Sequence, residues 1–212
     1  MRALIAITAT FVGALAAGAG AATQATTLSI AANPSLVVYG KTTVVSGTLS
    51  PAKANQNVTV QGQECGKPNY AKAATAKTSS TGAYTTTITP TVATNYQAKL
   101  KATVSAVVAV KVKPVVKLTK VARGSYTAQV TAGQSLTGKV VRFQRYSKLK
   151  KRWLGVKKVT LTTATAGTTK PTMVTSAAFK AKVARRSRVR LLLPTAQAAP
   201  CYVGAVSNVV RA

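Results

Sequence analysis

Apolar and polar residues in this chain alternate in short runs broken by glycine and proline, and the stretch from Val140 to Leu161 shows the pattern most plainly. Val141 and Phe143 alternate there with Arg142 and Gln144, a period of two that sends one set of side chains into a core and the other into water. Two runs rich in β-branched and aromatic residues flank a basic connection, so the stretch predicts a β-hairpin whose turn is solvated. Trp153 is the only tryptophan, and its size makes it a core anchor rather than a ligand platform in this reading.

From residue 27 to 112 the same plan predicts strands at Leu28 to Ala31, Leu36 to Tyr39, Thr43 to Leu49, Asn57 to Gln63, Tyr70 to Ala76, Tyr84 to Thr89, Tyr96 to Leu100 and Ala106 to Val112. Asn33-Pro34, Gly40, Pro51, Gly66-Lys67-Pro68, Gly82 and Pro90 punctuate them. Short strands at this spacing, with no helical period between them, predict an antiparallel β-sandwich. Lys113-Pro114 marks a boundary, since proline cannot donate to a central ladder, and Val115 to Val121 starts a second set of strands. Shifting the second half back by 83 positions lays Val141, Phe143 and Gln144 over Val58, Val60 and Gln61, and Ala128, Val130 and Ala132 over Val45, Gly47 and Leu49. A shift of 95 lays Phe179 and Val183 over Tyr84 and Ile88. The chain is therefore expected to be all-β, with two copies of one sandwich unit at 27–113 and 114–212.

Composition narrows the function. Lys and Arg number 30 against one acidic residue, Glu64, and histidine is absent, for a formal charge of +29. General acid-base catalysis, serine triads, carboxylate-pair glycosidases and imidazole or carboxylate metal sites need residue types that are nearly or wholly missing. A lysine-activated serine or a cysteine nucleophile stays open on paper, but no Gly-x-Ser-x-Gly turn or Ser-x-x-Lys helix start supports either. No phosphate-binding glycine loop occurs outside the first residues. The expectation is a non-enzyme with no catalytic, cofactor-binding or metal-ligating residues.

Residues 1–25 read as a secretory signal: Arg2 gives the positive start, Leu4 to Ala17 an apolar run, and Ala19-Gly20-Ala21 a small-residue cleavage site, with cleavage near 21–25. No later run reaches the roughly 18 apolar residues that span a bilayer, no cysteine follows the leader to take a lipid, and the last residues are not a hydrophobic tail. A secreted protein, free or cell-wall associated, is expected.

Ser46-Gly47-Thr48 followed by Val58-Thr59-Val60-Gln61, then Thr78 with Gly82 and Tyr84, then Tyr96 with Ala98, resembles secreted bacterial immunoglobulin-like repeats. Val141 to Arg145 with Trp153 and Val156 is similar to the Gln-Arg…Trp hairpin of such repeats, and the Ala/Thr/Arg-rich style is like that of actinobacterial exported proteins. The resemblance implies tandem immunoglobulin-like β-sandwiches and a non-catalytic surface or adhesion module. Residues 167–176 lack the Asp/Asn-x-x-Gly turn usual in these repeats, and aspartate is absent, which speaks against a calcium-stiffened linker.

Two cysteines, Cys65 and Cys201, fall one in each unit. An exported chain usually pairs its cysteines, and here a pair would join the two domains; separate thiols or an intermolecular bridge are the alternatives. Basic charge is lopsided, with nine Lys/Arg in residues 27–114 and twenty in residues 115–212. Arg186, Arg188 and Arg190 alternate with Ser187, Val189 and Leu191 and are expected to share a face, while Lys148, Lys150, Lys151 and Arg152 cap the hairpin. A solvated surface normally mixes charge signs, so these seven residues are the candidates for binding polyanions. The leading reading is an envelope or adhesion-type protein held on acidic cell-envelope polymers by its basic second domain. The alternative is an extracellular, sequence-independent nucleic-acid binder, which calls for aromatics among the cations; by sequence these are sparse apart from Tyr146 and Trp153. Oligomeric state is left open.

Overall fold

The computed structural model describes residues 24–169 and 171–212; the expected signal segment therefore lies almost wholly outside the described residues. The first ten strands are β1 (Thr27–Leu28), β2 (Ala31–Asn33), β3 (Leu36–Val38), β4 (Thr43–Ser50), β5 (Asn57–Glu64), β6 (Ala71–Lys77), β7 (Ala83–Ile88), β8 (Thr94–Leu100), β9 (Thr103–Val104) and β10 (Val108–Lys113). They form two sheets: one places β4 between β1, β2 and β7, and the other runs β3-β10-β8-β5-β6, with β9 on β8. Alternation sends Val58 and Val60 of β5, Tyr96 and Ala98 of β8 and Val45 of β4 into the space between the sheets. Each of these valines contributes on the order of 1.5–3 kcal/mol by leaving water. One pairing departs from the antiparallel expectation: β3 runs parallel to β10, the chain having passed from the sheet of β2 and β4 to the other sheet between Asn33 and Leu36.

Gly47 sits in mid-strand for a steric reason. The Tyr84 phenol lies across it, so a Cβ there would meet the Tyr84 oxygen at 2.4 Å. That packing brings the Tyr84 hydroxyl to the Ser29 carbonyl, to which it donates.

The remaining elements are β11 (Val115–Ala122), β12 (Ser125–Ala132), β13 (Val140–Ser147), β14 (Arg152–Thr160), β15 (Thr163–Ala166), β16 (Met173–Lys180), β17 (Arg188–Leu193), a one-turn helix α1 (Thr195–Ala198), β18 (Ala205–Val206) and β19 (Val210–Arg211). One sheet runs β11-β12-β16-β15, the other β14-β13-β17-β18 with β19 also on β17. Between them Tyr126, Phe143 and Phe179 form an aromatic cluster with centroids 5.0–5.6 Å apart. Two tandem immunoglobulin-like β-sandwiches result. Pairing registers correct one alignment: Val45 pairs with Thr86 and Ala128 with Ala177, so Phe179, opposite Tyr126, corresponds to Ile88 rather than to Tyr84.

The sandwiches meet where the end of β5, the β7–β8 connection and the β17–β18 connection converge. Cys65 and Cys201 are disulfide-bonded across this junction, with Cα atoms 5.3 Å apart and 136 positions between them in the chain. Around the bond, the Ala93 amide donates to the Cys201 carbonyl at 2.9 Å, the Cys65 amide to Ala93 at 2.8 Å, and the Val203 amide to Val112 at 3.0 Å. Of the alternatives open from sequence, free thiols and an intermolecular bridge are displaced by this pairing.

Candidate functional site

The β14-β13-β17 sheet turns one face to the core and the other to solvent. Val141 and Phe143 point inward with Val189 and Leu191. Gln144 therefore faces outward and pairs with Arg190 on β17, while Tyr146 pairs with Trp153 on β14. On this outer face the Arg188 guanidinium lies 4.1 Å from the Tyr146 ring centroid and that of Arg190 lies 4.2 Å from Trp153. The two rings meet edge to face at 5.4 Å. Arg190 Nε donates to Gln144 Oε1 at 2.9 Å, so this guanidinium is held at its neck as well as over its plane. Burial there lowers the Arg190 pKa from its ordinary value.

Trp153 is thus no core anchor. Strict alternation back from the buried Val159 would carry Trp153 into the core, but the register slips between Phe143 and Gln144: Phe143 pairs with Lys157 and Gln144 with Gly155. The extra residue, Val156, is a β-bulge, and one inserted residue reverses which face every later side chain occupies. Opposite Gln144 the face is open at Gly155, where an added Cβ would meet no atom within 4 Å.

Beyond Tyr146 the face runs into a groove of about 810 Å³ between the hairpin tip and the turn before β17, walled by Arg145, Lys148, Arg185, Arg186, Arg188 and Arg211. Arg186 does not alternate with Arg188 and Arg190 on a strand: it occupies a turn, in left-handed backbone at φ 61°, and reaches the groove from its end. Its amide donates to the Ala212 carbonyl at 3.0 Å, which ties this turn to the strand carrying Arg211. Arg211 pairs directly with Arg188. Lys148 stands on the groove wall and Lys150 and Lys151 in the hairpin turn, where Lys151 is also left-handed at φ 47°; Arg152 opens β14 opposite Ser147. Leu149, at the tip, is 92% exposed among these lysines.

Sequence reasoning missed Gln144, Arg185, Arg211 and the outward placement of Tyr146 and Trp153. The spacing of Gln144 and Tyr146 signals a shared face, but the bulge that adds Trp153 to it has no mark in the sequence. The chain's only acid, Glu64, belongs to β5 of the first sandwich. Among the described residues no three His, Cys, Asp or Glu side chains cluster in a way that could hold a metal, and no helix is long and apolar enough to cross a membrane.

No family model matches the chain, and no curated protein does. Among solved structures, a marsupial T cell receptor chain is similar at 9% identity and a TM-score of 0.33, over 89% of this chain and 100% of that one.

Proposed function

We propose that this protein is a secreted, non-enzymatic binding module that attaches to acidic polymers of a cell envelope through residues 114–212, with residues 27–113 as its companion domain. The observation that carries this reading is the convergence of Arg185, Arg186, Arg188, Arg211 and Lys148 on one groove in a chain whose only carboxylate side chain lies on the other sandwich. Cations gathered without acidic side chains among them hold a field that a flexible polyanion neutralises, releasing its condensed counterions. Export is supported by the leader-like residues 1–25 together with the disulfide, since such bonds persist mainly in oxidising compartments.

Binding of inorganic polyphosphate measured at several salt concentrations tests the proposal. The logarithm of the binding constant should fall linearly with the logarithm of salt, and Arg186→Gln with Arg211→Gln should weaken binding and flatten the slope. Unchanged binding in that variant, or none in the parent at low salt, would overturn it.

A further inference from the structure

We infer that the outer face of β13, β14 and β17 is a stacking site for single-stranded nucleic acid, taking bases beside Trp153 at the Gly155 step and phosphates on Arg188 and Arg190. The inference rests on the polyanion reading of residues 114–212, not on an envelope source, and gives this face its own polymer.

A surface that only attracted charge would need no order among its cations, yet here two guanidinium groups are each laid on an aromatic ring, and one is also hydrogen-bonded by Gln144. Stacking engages the plane of a guanidinium and leaves N–H groups on its edge to meet phosphate oxygens. Arg188 and Arg190 are two residues apart on one strand, so their Cα atoms are spaced by about 6.7 Å along the face. Phosphates placed there leave the linked bases the space next to Gln144, where Gly155 provides an opening bounded by the only indole in the chain. Base-on-aromatic stacking tolerates any sequence, because every base has a π-face.

Two features argue against other polymers. A neutral sugar is gripped by acceptors for its hydroxyls, and this face has no carboxylate side chain, with the Gln144 oxygen already accepting from Arg190. A duplex hides its base faces and would leave the opening at Gly155 unfilled.

The purified protein offers its own probe, since all indole fluorescence comes from Trp153. An oligothymidylate and an abasic strand of the same length carry the same phosphates and differ only in bases. The oligothymidylate should bind at least about fivefold tighter and change the fluorescence on saturation, while the abasic strand should leave it nearly unchanged. Gly155→Leu fills the step, its Cβ meeting no atom within 4 Å, and with an unchanged circular dichroism spectrum the preference for oligothymidylate should disappear. Equal binding of the two strands without a fluorescence change would overturn the stacking site and leave the polyanion reading standing. Failure of both strands and of polyphosphate would remove both. A preference that survives Gly155→Leu, or a duplex that binds more tightly than the single strand, would also overturn it.

Discussion

The two sandwiches carry the same bulge at matching positions and put it to different use. In the first, Val60 pairs with Ala74 and Gln61 with Lys72; in the second, Phe143 pairs with Lys157 and Gln144 with Gly155. Both bulges set an outward glutamine beside the strand that follows in the sheet. Gln61 accepts from the Gln97 amide at 3.1 Å, where Gln144 accepts from the Arg190 guanidinium. One step along, the pair Gln63 and Asn95 stands where the second sandwich has Tyr146 and Arg188. One backbone frame thus presents neutral amides on one unit and stacked cations on the other. The outer face is free to diverge because its side chains touch solvent, whereas the inward residues, Val58 and Val60 against Val141 and Phe143, remain apolar in both.

The most disruptive way to break the comparison is to uncouple the units. Cys65→Ser with Cys201→Ser removes a cross-link over 136 positions, and the chain-entropy model puts the loss at about 4–5 kcal/mol. Calorimetry should then show a lower transition, split in two if each sandwich unfolds by itself. Next comes the core. Phe143→Ala empties the centre of an aromatic cluster and should cost about 3–5 kcal/mol by denaturant titration. Val60→Ala, at the matching site of the first sandwich, deletes less and should cost about 2 kcal/mol.

Exchanging the outer faces sharpens the comparison directly. Arg188→Asn with Arg190→Gln gives the second sandwich the residues of the first, and the log–log salt slope for single-stranded DNA should become shallower by about 1.4. Stability should fall by only about 1–2 kcal/mol, the worth of two partly exposed cation–π contacts. The smallest effect belongs to Tyr84, whose place in the second sandwich is taken by Thr175, opposite Val130. Tyr84→Phe leaves the Ser29 carbonyl without that donor and should cost about 1 kcal/mol. Burial pushes the Tyr84 phenol up from 10.0 to about 12, so the unfolded chain loses this proton first. Stability is held below pH 10 and falls as pH rises toward 12; the variant should show a smaller alkaline loss in melts across that window.

Much of the fold is legible in the chain itself. Period-two alternation and the placement of Gly and Pro located most strands of the first sandwich to within two residues, because a strand with one buried face must alternate wherever it pairs. The brief strand Thr103–Val104 and the single turn Thr195–Ala198 were not legible: two to four residues hold too little pattern. Charge is a sum over residues, so its concentration in the second half needed no structure either. The all-β class, the repeated unit and the half of the chain that carries the cations thus follow from residue order alone. Folding set the rest: which face Trp153 occupies, that Arg186 enters from a turn, that Phe179 matches Ile88, and that Cys65 meets Cys201. Each of these depends on a partner strand or a second domain. A bulge of one residue shows itself only as a slip in pairing, and that slip turned an expected core residue outward onto the candidate site.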